Sequence, residues 1–118
     1  MVERSKRIAE SWEITRIRAS GISASSGPLV ARVAPNQTDP PKNRYTVIAG
    51  KRIGKSHERN RCKRITREAV RLLDPELRQG YDLVIWLRGG VAEMTGLDVA
   101  RHALREIARK TKLIGFPS

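Results

Sequence analysis

The residues best suited to chemistry in this sequence are cations, and they are concentrated in one short segment. Between Lys51 and Arg71 the chain has nine Lys or Arg residues and two Glu residues, a formal charge of +7 out of +12 for all 118 residues. Such density neutralises the phosphates of a polyanion, so nucleic acid is the first candidate partner and an anionic membrane surface the second.

Residues able to make or break bonds are scattered by contrast. His57 and His102 lack the spacing of a metal-ligand pair, and Cys62 is the only cysteine, which excludes an internal disulfide and a Cys-based zinc site. The sequence has no phosphate-binding glycine loop and no pair of carboxylates placed for acid and base roles. We therefore predict no catalytic residue, no metal site and no organic cofactor in this chain.

The cations need a rigid element to hold them, and segment 57–73 has helical periodicity. At about 100° per residue, one face collects the apolar positions Cys62, Ile65, Ala69, Leu72 and Leu73. The opposite face collects Asn60, Lys63, Arg64, Arg67 and Arg71, with Arg59 and Arg61 at its borders. Glu58 and Glu68 are too few to pair with these cations, which favours a cationic binding face over an ordinary solvated one.

The other elements follow from apolar patterning. We predict a first helix over residues 8–19 that ends at Gly21, strands over 29–34 and 44–50 as antiparallel neighbours, and a central strand over 81–88. The segment GISASSGP is interpreted as a loop. Thr95 opens a last helix with an apolar stripe of Leu97, Ala100, Leu104, Ile107 and Ala108.

The predicted order is α-β-β-α-β-α, with room for one further short strand, in a small two-layer α/β sandwich. The length suits one domain over residues 1–118. The N-terminal residues have charges throughout and form no signal peptide, and no apolar run is long enough to cross a membrane. Together with the single cysteine, these features predict a cytoplasmic protein without a membrane partner.

The basic segment KRIGKSHERNRCKRITREAVR resembles the signature of the bacterial ribonuclease P protein subunit, in which a Lys-Lys/Arg-x-Gly segment leads into an Arg-Asn-Arg helix. The flanking segments EITRIRASG, GYDLVIWLR and LDVARHALREIARK are similar to the family's first helix, fourth strand and last helix. The resemblance implies an α/β sandwich with a left-handed βαβ crossover. It also implies a protein that assists a catalytic RNA in removing the 5′ leader of precursor tRNA.

The resemblance implies roles for individual residues as well. Ribonuclease P RNA would be bound by the preceding loop and the helix, through Lys51, Arg52, Lys55, Arg59, Asn60, Arg61, Lys63, Arg64, Arg67 and Arg71. The hydrolysis would belong to Mg²⁺ ions held mainly by the RNA subunit, and the protein would bind and position precursor tRNA.

The sequence departs from the family pattern in the cleft that holds the leader. The family commonly has two phenylalanines on the first helix and a tyrosine on the first strand, where this chain has Ile14, Arg18 and Arg32. These three residues and Lys51 are the predicted leader-binding residues, and the substitutions predict that charge contributes more to leader binding than base stacking does.

Three other classes of protein share some of these features. A ribosomal-type or general structured-RNA-binding protein would also have a basic helix. A DNA-binding helix-turn-helix is disfavoured because no second helix precedes the basic one by a short turn. An autonomous nuclease lacks the metal ligands or the acid and base pair that it needs.

Overall fold

The computed structural model describes residues 11–88 and 93–114 of the chain. Two short 3₁₀ turns, Lys51–Ile53 and Asp74–Glu76, flank the second helix. The helices and strands, in chain order, are α1 (Ser11–Ser20), β1 (Ile22–Ser26), β2 (Leu29–Pro35), β3 (Arg44–Ala49), α2 (Ser56–Leu73), β4 (Tyr81–Leu87) and α3 (Leu97–Lys110).

The four strands form one sheet in the order β1-β2-β4-β3. β1 pairs antiparallel with β2, and β2 pairs antiparallel with β4. β3 pairs parallel with β4, so α2 is the crossover helix of a β3–α2–β4 unit. The prediction that β4 is central is confirmed, which suits its five buried residues out of seven. The left hand of this crossover, which the resemblance implies, stays a prediction.

Side chains that alternate along the strands divide between the two faces of the sheet. One face packs against α2 and α3 and forms the main core, with Leu29, Ala31, Tyr45, Val47 and Ile85 at its centre. The opposite face carries α1, whose Ile17 is buried against Ala34 and Val84. We call this second surface the α1 face. The apolar stripe predicted for α3 is confirmed, because Ala100, Leu104, Ile107 and Ala108 are buried and Leu97 packs against the core.

Two predictions about the sheet are wrong. GISASSGP is not a loop, because Ile22–Ser26 is a strand that turns through Gly27 into β2. The strands β2 and β3 are not neighbours, because β4 inserts between them. Residues 36–43 therefore connect two separated strands and do not close a hairpin. The predicted start of the first helix at residues 8–10 lies outside the described residues.

A buried polar cluster fixes the C-terminal end of α2 against β3. The carboxylate of Asp74 accepts hydrogen bonds from the hydroxyl of Tyr45 and from the amides of Asn43 (3.2 Å) and Gln79 (3.3 Å). Burial and the neighbouring Asp74 raise the pKa of Tyr45 far above its ordinary value, so the hydroxyl stays protonated. This network satisfies the polar groups that the helix end would otherwise leave buried and unpaired.

Candidate RNA interface

Helix α2 is oriented by the residues that it buries against the sheet. Cys62, Thr66, Ala69, Val70 and Leu73 are buried along one side of the helix. The Thr66 hydroxyl donates to the carbonyl of Cys62 (2.8 Å), so this polar side chain is satisfied without water. Burial raises the pKa of the Cys62 thiol, as expected for a packed and unreactive cysteine.

The buried side differs from the predicted one by a rotation of roughly 50° at 100° per residue. Ile65 is only half-buried, and Leu72 is 37% exposed, so its predicted place in the core is wrong. Thr66 and Val70 occupy the core in their stead. The apolar pattern alone did not include Thr66 in the core side, because a threonine can be buried only when its hydroxyl is satisfied, here by the hydrogen bond within the helix.

The predicted cationic side of α2 faces outward. Asn60, Arg61, Arg64 and Arg71 are exposed, whereas Arg59, Lys63 and Arg67 are half-buried at the borders of the exposed side. We call these seven residues the basic face of α2. Part of it forms an open groove of about 520 Å³, lined by Asn60, Arg64, Arg67 and Glu68. The helix therefore presents its cations from a backbone that the core holds in place.

The two glutamates of the helix have defined partners. Glu58 accepts a hydrogen bond from the backbone N–H of Lys55 (2.9 Å) at the start of the helix. Glu68 forms an ion pair with Arg71 three residues later, and this pairing lowers the pKa of Glu68 to about 2. An exposed pair of this kind contributes little stability and can yield to a phosphate. Arg71 is thus a member of the basic face that is paired with a carboxylate of its own helix.

The turn before α2 adds three exposed cations, Lys51, Arg52 and Lys55, which we call the basic turn. Ile53 is 5% exposed and anchors this turn in the core. Gly54 has φ of 147°, a conformation that favours glycine, and its N–H donates to the carbonyl of Lys51 (3.3 Å). The basic turn therefore stands at a fixed position beside the N-terminus of α2.

The predicted leader-binding residues lie on or beside the α1 face. Ile14 is half-buried against the cluster of Ile17, Ala34 and Val84. Arg32 is half-buried on β2, where its guanidinium lies 3.5 Å from the carbonyl of Gly21. Lys51 lies past the end of β3 in the basic turn, and the side chain of Arg18 lies outside the described residues. The fold thus brings Ile14 and Arg32 to one face, with Lys51 at a separate position.

Sequence reasoning missed a buried carboxylate that ties α1 to the sheet. Asp82 on β4 is fully buried and accepts hydrogen bonds from Arg16 of α1 (2.7 Å), Arg44 of β3 (2.7 and 2.8 Å) and Asn36 (2.9 Å). Its position in the most apolar strand was the available signal, because a buried acid requires cationic or hydrogen-bonding partners. These contacts hold α1 in place over the sheet.

Sequence reasoning also missed Trp86, an aromatic residue of β4 that lies on the α1 face. Trp86 is half-buried and packs at the edge of the Ile17, Ala34 and Val84 cluster. Strand alternation could have indicated that Val84, Trp86 and Arg88 share one side of the strand, but not that α1 packs on that side.

Among residues 11–88 and 93–114, no group of three or more His, Cys, Asp or Glu residues is arranged to hold a metal ion. Within the same ranges, none of the helices combines the length and the hydropathy required to cross a bilayer. The exposed histidines, His57 and His102, lie on different helices.

A small α/β fold whose parallel crossover helix displays a dense cationic face defines a class of basic proteins built to bind nucleic acid. Residues 2–112 match the family model described as Ribonuclease P, and the chain belongs to the ribonuclease P protein family. Proteins of this family are subunits of an endoribonuclease. Their role is the maturation of the 5′ end of tRNA together with an RNA subunit. The predictions of family and function are confirmed.

Individual relatives agree with this family membership. The chain is 34% identical over 113 residues to the ribonuclease P protein component of Caldanaerobacter subterraneus subsp. tengcongensis, which covers 96% of this chain and 95% of that relative. It is 41% identical over 87 residues to the corresponding component of Chloroflexus aggregans, which covers 74% of this chain and 63% of that relative.

Solved structures show the same fold. The Staphylococcus aureus RNase P protein aligns with a TM-score of 0.79 at 22% identity, covering 93% of this chain and 98% of that one. The Thermotoga maritima RNase P protein aligns with a TM-score of 0.76 at 22% identity, covering 87% and 96%. The predicted α/β fold class is therefore confirmed.

Proposed function

We propose that the basic face of α2 and the basic turn bind ribonuclease P RNA, and that the α1 face binds the 5′ leader of precursor tRNA. The observation that supports the first part is the orientation of α2, which buries five residues on one side and exposes cations on the other. Because the core fixes the backbone, the cations need little reordering when they meet phosphates. Their Arg side chains also suit forked contacts with phosphate oxygens.

The leader-binding part of the proposal assigns roles to Ile14, Arg18, Arg32 and Lys51. Support comes from the position of Arg32, which lies beside α1 on the sheet surface. A guanidinium at this place would neutralise a leader phosphate, while half-buried Ile14 would add apolar contact.

The proposal leaves the chemistry to the RNA subunit. In the described residues no carboxylate cluster suits Mg²⁺, so magnesium ions that activate water would be held mainly by RNA. The protein would raise the affinity for substrate and reduce the repulsion between two RNA molecules. The proposed setting is the cytoplasm, with precursor tRNA as substrate and neither DNA nor membrane as partner.

The test is reconstitution at low magnesium. Precursor tRNA is incubated with a ribonuclease P RNA alone, with the protein alone, and with both. We expect accurate release of the leader only with both, because at low Mg²⁺ the phosphates of the two RNA molecules remain poorly screened. Failure of the protein to stimulate cleavage would refute the proposal, as would site-specific cleavage by the protein alone.

A charge-matched pair of variants tests the role of α2. Arg64→Ala/Arg67→Ala removes two cations from the basic face, and Arg101→Ala/Arg109→Ala removes two from α3. We expect the first variant to lower RNA affinity and to reduce the slope of log affinity against log salt by up to about two units, and the second to change neither much. Equal effects of both variants would show that net charge, and not the basic face, determines binding.

The alternative of a general structured-RNA-binding protein predicts a different result. Such a protein would bind unrelated folded RNA as tightly as ribonuclease P RNA, with a similar salt slope, and would not change the cleavage site. A competition experiment with an unrelated structured RNA of equal length separates the two.

A further inference from the structure

A row of three apolar side chains crosses the α1 face on neighbouring strands. Trp86 of β4 is directly opposite Val30 of β2 and Ile48 of β3 in the strand register. All three side chains are half-buried. We call this set the Trp86 row. Because neighbouring strands are about 4.8 Å apart, the row spans about 10 Å, which is the width of a nucleobase with room for its sugar.

The adjacent row on the same face, which contains Val84, is covered by α1. Val84 lies opposite Arg32 and Thr46 and is fully buried under Ile17. The C-terminal end of α1 is held over β2, where Gly21 approaches the backbone of residue 33. The helix therefore covers the row of Val84, and the Trp86 row lies at the edge of the helix with part of its surface accessible.

Two arginines flank the Trp86 row in the strand register, one on either side. Arg32 stands two residues from Val30 on β2, and exposed Arg88 follows Trp86 by two residues on β4. The basic turn begins directly after β3, two residues beyond Ala49. An aromatic side chain flanked by cations is an arrangement by which proteins hold single-stranded nucleic acid, with the base stacked on the ring and phosphates beside the cations.

We propose that Trp86, supported by Val30 and Ile48, is the residue on which one unpaired base of the precursor-tRNA leader stacks. This inference rests on the proposed function of the α1 face. It revises the expectation from the sequence, in which the cleft has charge but little stacking because Ile14, Arg18 and Arg32 replace aromatic residues. The aromatic ring is present on β4 and reaches the same face.

Tryptophan fluorescence gives a direct readout, because the chain has two tryptophans and RNA has none. Trp12→Phe makes Trp86 the only tryptophan in the assembled complex of protein and ribonuclease P RNA, so emission excited at wavelengths that tyrosine does not absorb comes from Trp86. A base stacked on the indole should quench its emission. We expect quenching on addition of precursor tRNA and no quenching on addition of mature tRNA without a leader.

Substitutions at Trp86 separate stacking from packing. Trp86→Leu keeps an apolar side chain beside Val84 but removes the aromatic ring, and we expect about 5- to 150-fold weaker binding of leader-bearing substrate. Trp86→Phe should recover part of this loss. A precursor tRNA with an abasic nucleotide at the contacted position should bind wild type and Trp86→Leu equally, since neither can stack.

Two outcomes would overturn the inference. The first is unchanged leader affinity in Trp86→Leu together with no quenching in the Trp12→Phe protein. The second is an equal loss for leader-bearing and leaderless tRNA with a lower melting temperature, which would make Trp86 a packing residue only. Stimulation of RNA cleavage by the wild-type protein is scored separately, so either result leaves the test of the proposed function intact.

Discussion

Asp82 offers a quantitative test of how α1 is held on the sheet. The Asp82→Asn substitution keeps the size of the side chain but removes its charge and turns one acceptor atom into a donor. In the native protein both carboxylate oxygens accept: Oδ1 from Arg44 and Asn36, and Oδ2 from Arg16 and Arg44. The NH₂ group of the new amide would therefore point at an N–H group of Arg16 or Arg44, and these two donors cannot form a hydrogen bond with each other.

The magnitude follows from burial. Loss of one partner from a buried ion pair costs about 3–5 kcal/mol, because the remaining charge is left unpaired. Asp82 is fully buried, but the Arg16 and Arg44 side chains are 39% and 21% exposed and can regain water. We therefore expect a loss of about 2–4 kcal/mol in the free energy of unfolding. For a chain of this size that corresponds to a melting temperature lower by about 10 °C.

The assay is denaturant unfolding of Asp82→Asn beside a matched control, Glu76→Gln. Glu76 pairs with Arg105 at 3.0 Å, but the two side chains are 50% and 35% exposed. Water screens an exposed pair of this kind, so the control should change stability little. Similar small losses in both variants would refute the view that the buried carboxylate anchors α1.

Three further substitutions test other parts of the molecule. Glu68→Gln should raise affinity for ribonuclease P RNA, because it removes an anion beside the basic face and releases Arg71 from its ion pair. Since the folded pKa of Glu68 is depressed to about 2, its ion pair is present above the ordinary pKa of 4.5 and lost as the pH falls through about 2. NMR titration of the carboxyl group checks this window, and a midpoint near 4.5 would contradict it. Tyr45→Phe should cost about 1–2 kcal/mol of stability, because Asp74 loses one buried donor; calorimetry measures it, and an unchanged melting temperature would contradict the network. Gly21→Ala should lower stability by about 1–3 kcal/mol, because the added Cβ would lie 2.6 Å from a backbone oxygen of α1; a neutral result would show that α1 can move.

The sequence was informative where periodicity and charge coincide. The central strand 81–88, the last helix and the basic helix all have apolar residues at the spacing of their structure, and each prediction is confirmed within a few residues. Each of these elements buries one side in the core, so the spacing of its apolar residues can be recognised in a single sequence.

The missed elements depend on contacts between distant residues. β1 has the sequence ISASS, with no apolar alternation, and it exists because β2 pairs with it and Lys110 donates to the carbonyl of Ser25 (2.7 Å). β4 lies between β2 and β3, and the apolar pattern within each strand does not indicate which strands pair. Only the family resemblance implied a crossover of this kind.

Part of the candidate site could be predicted from the sequence, and part of it could not. Cations on α2 could be placed from the helical wheel, apart from the rotation caused by buried Thr66. Trp86 and Asp82 could not be assigned to the α1 face, because their significance depends on where α1 lies. Strand alternation gives the side of the sheet that a residue occupies but not the helix that covers it.

Helix α2 imposes a constraint on how the length of this chain can vary. The same 18 residues supply core contacts on one side and the basic face on the other, and both ends are fixed, by buried Ile53 before the helix and by Asp74 after it. One inserted residue would rotate everything beyond it by about 100°, turning Arg side chains toward the sheet and apolar ones toward solvent. The helix can therefore accept a change of one exposed side chain, but the gain or loss of one residue would disrupt the core contacts and the basic face together. We expect insertions and deletions in this family to fall in loops such as residues 36–43, and never inside α2.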